Sequence, residues 1–117
     1  MQKILMLLAF ACLMAPALNA QKARRVEVFF YNSHTLSDLQ NIRAELAAQK
    51  ILLEYTHTAF DADGHLTEIG FTVDFQDGYT GSAKTTRVPG AGEPKFGFYR
   101  DPRPGAVSPF GTGEIKE

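Results

Sequence analysis

Three histidines, His34, His57 and His65, are the side chains of this chain whose type best suits metal binding or proton transfer. Imidazole is a common zinc ligand, but a zinc site needs further ligands at fixed spacing, as in His-Glu-x-x-His on a helix. No pair among these histidines has that spacing, and His57 and His65 stand at unequal distances from the turn between them. The sequence therefore predicts no metal site, and we interpret the histidines as polar residues of strands and a loop.

The acidic segment at residues 61–64, Asp-Ala-Asp-Gly, resembles part of a calcium-binding loop. When Gly64 takes the glycine position of such a loop, Ala59 falls at the first ligand position and Gly70 at the last. Neither has a side chain that binds calcium. Asp and Gly are also typical of tight turns, because Asp accepts hydrogen bonds from nearby N–H groups and Gly adopts positive φ. The segment is therefore predicted to be a turn.

Ser33, His34 and Asp38 have the residue types of a catalytic triad. Neighbours on one loop cannot align a serine oxygen, an imidazole and a buried carboxylate, and no nucleophile elbow surrounds Ser33. Asp74 and Asp77 flank a second turn, where we expect solvated carboxylates. No glycine-rich phosphate loop precedes a helix. The sequence thus predicts no catalytic residue and no cofactor, and it does not favour an enzyme.

These residues must be positioned by a β-hairpin that residues 51–73 are predicted to form around the turn at 61–64. Ile69, Phe71 and Val73 alternate with polar or small residues, so they share one face of a strand. That apolar face needs a cover. Because Leu66 is out of step with this alternation, the pattern also indicates a β-bulge at Thr67 or Glu68.

A strand and a helix are predicted before the hairpin. Residues 25–31 are apolar on both faces beyond Glu27, which is typical of an inner strand. Thr35 and Asp38 match a capping box at the start of a helix that should end near Lys50. The helix covers the hairpin with one apolar stripe, formed by Leu36, Leu39, Ile42, Leu46 and Ala47.

The composition changes after the hairpin. A turn at residues 76–78 precedes a weaker strand candidate at 79–87, and from Pro89 onward prolines and glycines alternate. Residues 89–117 are therefore predicted to be an irregular, partly disordered tail. Residues 96–99, Phe-Gly-Phe-Tyr, are the exception, because a flexible linker without contacts would not be so rich in aromatic residues.

Together the elements predict an α+β fold across residues 21–88, with one helix packed on a small, mainly antiparallel sheet in the order βαβββ. A right-handed crossover from the first strand to the second, with the third strand between them, would make every strand contact antiparallel. A core of roughly 60 residues without a disulfide holds only about 3–5 kcal/mol.

Residues 1–20 are predicted to be a secretory signal peptide. Lys3 precedes a short apolar run, and small residues follow up to Ala20, the expected cleavage position. Cleavage after Ala17 and lipid attachment at Cys12 are the alternatives, although the residues before Cys12 match a lipobox poorly. The mature protein is expected to be exported, periplasmic or extracellular, with no integral membrane segment after cleavage.

Composition excludes several classes of function. Cys12 is the one cysteine of the chain, so the mature protein has no disulfide, catalytic thiol or cysteine-bound metal. Without Lys3, which leaves with the signal, 11 basic and 13 acidic residues remain. This balance is not that of a nucleic-acid-binding protein.

The order of these motifs resembles a small extracytoplasmic module found at the C-terminal end of many BlaR-like antirepressor membrane metallopeptidases of Gram-negative bacteria. The resemblance covers about residues 26–89 and rests mainly on turn and core positions. The matching residues are Thr35, Asp38, Leu39, Leu46, Ile51, Leu53, Tyr55, Asp61, Gly64, Leu66, Ile69, Gly78 and Gly81. The zinc motif and the transmembrane helices of those peptidases are missing from this sequence. The resemblance therefore implies a periplasmic binding or sensing module without peptidase activity.

The interaction site is expected at an aromatic surface. Phe29 and Tyr31 project from the first strand on the side away from the helix, and Phe96, Phe98 and Tyr99 are the aromatic residues left to meet them. The tail segment is predicted to fold back onto the sheet. The alternatives are a disordered tail with incidental aromatics, or a segment that adds to another protein's sheet.

The predicted function is an exported, non-enzymatic binding, sensing or protein-interaction module of the cell envelope. Its partner is an unidentified envelope protein or component, and self-association stays open. The alternative is a small exported enzyme or enzyme inhibitor without a recognisable motif. A pocket with converging polar groups would favour the alternative, whereas an apolar groove or an open sheet edge would favour the interaction module.

Overall fold

The computed structural model describes residues 24–116, so the predicted signal peptide, its cleavage position and Cys12 lie outside the described residues. Within the described range no helix is long and apolar enough to cross a membrane. The fold is α+β, as predicted, with one helix and six strands. In chain order these are β1 (Val26–Phe29), α1 (Leu36–Ala48), β2 (Leu52–Phe60), β3 (Leu66–Asp74), β4 (Thr80–Thr85), β5 (Lys95–Arg100) and β6 (Phe110–Ile115).

The central hairpin forms as the alternation predicts. β2, β3 and β4 make one antiparallel sheet in that order, and the turn at residues 61–64 has Gly64 at φ +83°. The pairing of β2 with β3 shifts register twice, leaving Thr67 of β3 and Thr56 of β2 without a partner. The bulge expected at Thr67 or Glu68 is therefore confirmed, and the Thr67 hydroxyl donates to the carbonyl of Ala59 at 3.1 Å.

The helix begins with the predicted capping box. The Asp38 carboxylate accepts the N–H of Thr35 at 2.9 Å, and the Thr35 hydroxyl oxygen accepts the N–H of Asp38 at 3.4 Å. These bonds satisfy two backbone groups at the helix start. The N–H and the hydroxyl of Thr35 both donate to the Asp38 carboxylate and lower the pKa of that carboxyl. At the other end Lys50 adopts φ +66°, and the N–H of Ile51 returns to the carbonyl of Leu46 at 2.9 Å.

Only part of the predicted helical stripe is buried. Leu39 and Leu46 are buried in the core and Ile42 packs partly against it. Leu36 and Ala47, which were predicted to belong to the same stripe, are exposed. The prediction was wrong for these two residues, because the helix contacts the hairpin along β2 and leaves its flanks uncovered.

The segment predicted to be an irregular tail contains two strands, and this is the main correction to the sequence-based fold. β5 and β6 pair antiparallel with each other, and β5 pairs with β1, giving a second sheet in the order β1-β5-β6. Phe96 and Phe98 of β5 belong to the core, so the folded unit does not end at residue 88. The segment at residues 96–99 folds back onto the protein and pairs with the edge of β1, as predicted.

The predicted strand order was also wrong. β1 was expected to be an inner strand next to β3, but it is an end strand hydrogen-bonded to β5. Phe29 makes the outer face of β1 apolar. Its ring is half-buried, and the Lys95 ammonium group lies 5.0 Å from the ring centre. The βαβββ succession of elements therefore holds for residues 26–85, but its first strand belongs to the second sheet, which β5 and β6 complete.

Aromatic rings join the two sheets. Phe30, Phe71 and Phe98 are fully buried, with ring centres 5.4–6.3 Å apart. Phe75 continues the cluster from Phe98 to Phe110 through edge-on contacts of 5.8 and 5.9 Å. Such pairs add about 0.5–1.5 kcal/mol each beyond area burial. The described chain thus has a single core shared by both sheets.

Candidate interaction surface

Three of the five residues predicted to form an interaction surface are buried inside the protein. Phe96 and Phe98 pack into the aromatic core and are 8% and 0% exposed. Tyr99 lies on the opposite face of β5, covered by the Arg25 guanidinium 4.3 Å above its ring, and its hydroxyl contacts Ser108. These three residues serve the fold: they pack within the protein and do not stand on an exposed surface.

Phe29 and Tyr31 are half-buried. The register puts Phe29 on the same face of the second sheet as Tyr99, whereas Phe96 and Phe98 face the core. The Tyr31 ring packs against the His34 imidazole with ring centres 5.7 Å apart. The His34 Nδ1 accepts the backbone N–H of Tyr31 at 3.1 Å, and the carbonyl of His34 accepts the N–H of Leu66. His34 thus connects the start of the helix to β3 and has a structural role.

The acidic turn brings Asp61, Asp63 and His65 together, with ligand atoms within 4.8 Å of one another and all three residues exposed. One oxygen of Asp61 accepts the N–H groups of Asp63 and His65, each at 2.9 Å. These bonds, that from His65 first, lower the pKa of the Asp61 carboxyl. The carboxylate therefore closes the turn, which is the role that its sequence predicts.

A second contact between groups that could do chemistry, His57 and Glu68, lies across the hairpin. The His57 Nε2 is 2.8 Å from the Glu68 carboxylate, and both side chains are more than a third exposed. An exposed polar contact of this kind contributes about 0–1 kcal/mol. Within residues 24–116, no buried side-chain nitrogen or oxygen lacks a hydrogen-bond partner, so no orphaned polar group marks a ligand site there.

An apolar groove, which we call the α1–β2 groove, runs between the helix and the free side of β2. It encloses about 500 Å³. Two large apolar side chains are unusually accessible along it, Leu36 at 54% and Leu52 at 48%. The other apolar residues that line it are Leu39, Ala44, Ala47, Ile51 and Leu53. An exposed concentration of apolar side chains on a small domain is typical of an interaction site.

The floor of the α1–β2 groove is the open edge of a sheet. Among the strands of residues 24–116, β2 is an end strand that pairs with β3 alone. In an antiparallel pair, residues alternate between bonding the neighbour and pointing their N–H and C=O groups away from it. The carbonyl of Leu53 accepts a hydrogen bond from the Arg43 side chain at 3.1 Å, so the backbone N–H and C=O of Leu53 face away from β3. By the same alternation, the backbone groups of Tyr55, two residues later, also face away from β3.

Two polar side chains tie the helix to this edge. The Tyr55 hydroxyl donates to the carbonyl of Leu39 at 2.7 Å, and burial raises the pKa of that hydroxyl. Arg43 reaches across the groove to Leu53 and pairs with the Glu54 carboxylate at 2.8 Å. The Arg43 side chain is 54% exposed, so its charged group stays in contact with solvent while it makes these bonds.

The sequence-based search missed Leu36 and Leu52 as surface residues. A signal for Leu52 was present: three consecutive apolar residues, Ile51-Leu52-Leu53, break the alternation of β2, so one of them must point away from the core. Leu36 offers no comparable signal, because it fits the helical period of the buried residues.

Comparison of the chain with protein-family models, with curated proteins and with solved structures found no match in any of the three. The candidate surface is therefore defined by its own geometry.

Proposed function

We propose that this protein is an exported, non-enzymatic interaction module of the cell envelope, and that the α1–β2 groove is its binding surface. The observation that carries the proposal is the exposure of Leu36 and Leu52 beside the open edge of β2. An accessible apolar groove next to unpaired backbone groups is the combination by which small domains capture segments of other proteins.

The polar side chains of the groove support binding rather than catalysis. Arg43 and Glu54 neutralise each other, and the Tyr55 hydroxyl is held by a backbone carbonyl. General acid–base or nucleophilic chemistry needs side chains that converge on a point where substrate atoms sit. The groove instead presents apolar side chains along its length, and Arg43, Glu54 and Tyr55 are directed at the protein's own backbone and at each other.

The proposed relation to the extracytoplasmic module of BlaR-like metallopeptidases adds to this interpretation. Residues that carry the resemblance have the roles the motif implies: Thr35 and Asp38 cap the helix, and Leu39, Leu46 and Leu53 are core residues. Under this proposal the chain is an exported sensing module, and its partner is another component of the envelope.

Export is tested by the intact mass of the protein recovered from the envelope or medium of the producing cells. We expect a mature chain beginning at Gln21, because the small residues before it fit a cleavage position. A retained Met1, or a lipid mass on Cys12, would contradict this expectation.

Binding is tested by photo-crosslinking in the producing cells. A photoreactive residue at Leu52, inside the groove, should give a defined adduct, whereas the same residue at the fully exposed Val107 should not. Adding Leu36→Asp to the Leu52 probe should abolish the adduct while the circular dichroism spectrum stays unchanged. The same adducts from both positions, or none from Leu52 in a folded protein, would reject the groove as the binding surface.

A further inference from the structure

We propose that the α1–β2 groove recognises its partner by strand addition: a short, extended, uncharged apolar segment pairs with the free edge of β2. This inference rests on the proposed function and states which chemistry the groove selects. Its central residues are Leu53 and Tyr55, whose backbone groups face away from β3.

The length of the available edge is set by the fold. At one end the N–H of Ile51 is already bonded to the carbonyl of Leu46 at the end of α1. At the other end the bulge at Thr56 interrupts the regular pairing of β2. Between these points the edge offers the N–H and C=O groups of Leu53 and Tyr55, enough to pair with a segment of roughly five residues.

The walls of the groove select the side chains of that segment. In an added strand, alternate side chains point to the helix side, where Leu36, Ala44 and Ala47 line the groove. Arg43 and Glu54 form a pair 2.8 Å apart, so the groove carries no net charge for a charged segment to complement. An acidic or basic side chain at the centre of the segment would be desolvated there without a free partner.

Arg43 competes with the incoming strand. Its Nε donates to the carbonyl of Leu53, which is one of the acceptors that an added strand needs. Binding must therefore displace this side chain, which remains paired with Glu54 on the outer surface. Arg43 thus protects the sheet edge against indiscriminate pairing, as charged residues on edge strands commonly do.

The test uses the mature chain and a blocked heptapeptide of alternating threonine and valine as the probe. Its matched controls are two peptides of the same sequence with N-methyl groups on alternate amides, one methylated at the odd positions and one at the even positions (the two methylated phases). In one of these phases the methyl groups remove the N–H donors that face β2, whereas both phases keep the apolar side chains. Amide hydrogen exchange of Leu53 and Tyr55, measured by NMR with the peptide in millimolar excess, reports the backbone pairing. We expect exchange at these amides to slow roughly tenfold or more with the unmodified peptide and with one methylated phase only.

The Arg43→Ala variant gives the opposite of the result expected for an ordinary contact residue. It should bind the peptide about two- to fivefold more tightly, since the competing hydrogen bond of an exposed charged group is lost. Glu45→Ala, on the exposed side of the helix, should leave the affinity unchanged. Equal or weaker binding by Arg43→Ala would overturn the displacement step.

Two further outcomes separate this inference from the proposed function. If the Leu52 crosslink forms but neither amide is protected, or if both methylated phases bind as well as the parent peptide, strand addition is wrong and the groove binds by side chains alone. If a peptide with aspartate at its centre binds as tightly as the uncharged probe, the inferred selectivity is wrong. The absence of both the crosslink and peptide binding would reject the inference and the proposed function together.

Discussion

At the scale of single residues, Gly97 shows why the second sheet forms. It lies in the middle of β5 opposite Phe29 of β1. A Cβ atom built on Gly97 would overlap the carbonyl oxygen of Val28, so β1 and β5 can approach as they do only if this position lacks a side chain. Glycines such as this one led to the prediction that residues 89–117 are irregular, yet the pairing of β1 with β5 requires glycine at position 97.

Gly97→Ala should therefore destabilise the protein by about 1–3 kcal/mol, because the backbone of β1 or β5 must move to admit the methyl group. Urea denaturation followed by circular dichroism measures the change. Gly90→Ala is the matched control, since the nearest atoms to a Cβ there are the side-chain ends of Asn32 and Glu93, at 3.3 Å or more. Equal free energies of unfolding for the two variants would show that the β1–β5 approach is not restrictive.

Asp101 holds the loop between β5 and β6 through an ion pair. Its carboxylate accepts the Arg103 side chain at 2.6 and 2.8 Å, and it is 5% exposed. The hydrogen bond from Arg103 lowers the pKa of Asp101 to about 2, and the charge of Arg25 acts in the same direction. Because this pKa lies below the unfolded value, the pair stabilises the fold above about pH 4, and that contribution disappears as the pH falls towards 2.

Asp101→Asn should accordingly lower the midpoint of thermal unfolding at pH 7 and flatten the dependence of that midpoint on pH between about 4 and 2. Some acid dependence should persist, since the pKa of Asp38 and of Asp61 is lowered as well. Glu45→Gln, on the exposed side of α1, should reproduce the wild-type acid profile. A wild-type profile for Asp101→Asn would contradict the assigned role of the ion pair.

At the scale of elements, the sequence predicted those whose signals are local. The capping box at Thr35, the turn at residues 61–64 and the bulge at Thr67 all depend on neighbours within a few positions. β5 and β6 depend on partners far along the chain: β5 needs β1, more than sixty positions away, and composition alone favours disorder. The open edge of β2 could not be predicted either, because the order of strands decides which strand is last.

The helix illustrates both outcomes. Leu39 and Leu46 are buried as their spacing predicts, yet Leu36 shares that spacing and faces the groove. Periodicity identifies the side of a helix that meets the sheet but not how far the sheet extends beneath it. Leu36 and Ala47, the two residues that the period placed wrongly, both line the candidate interaction surface.

Leu46→Asp should unfold the protein, because it places an unpaired carboxylate in the core at a site 4% exposed. Leu36→Asp, in the same helix but 54% exposed, should keep the fold and change the melting temperature little. Glu45→Lys serves as the silent control on the opposite side. Thermal unfolding measured for all three variants tests the assigned helix face, and a folded Leu46→Asp variant would reject it.

At the scale of the whole molecule, the two sheets form one body through their last strands and their aromatic rings. The Thr112 hydroxyl of β6 donates to the carbonyl of Ser82 in β4 at 3.2 Å, and the Phe110 ring packs where Gly81 leaves room for it. The second sheet thus supports the first from the side opposite the α1–β2 groove. Among the strands of residues 24–116, β2 thus remains an end strand of the first sheet, as β1 is of the second.

A chain that ends before Pro94 should therefore lose its cooperative fold. Truncation removes β5 and β6, leaves β1 without its pairing partner and deletes Phe96 and Phe98 from the core. Each buried phenylalanine contributes about 1.5–3 kcal/mol, so the two together match the roughly 3–5 kcal/mol expected of so small a core. We expect no cooperative thermal transition by circular dichroism.

A chain ending at Ile115 retains all six strands and should melt as the full mature protein does. A truncated chain that melts at the same temperature but no longer gives the Leu52 crosslink would instead assign the C-terminal segment to the partner, and would show that the second sheet is not required for the fold.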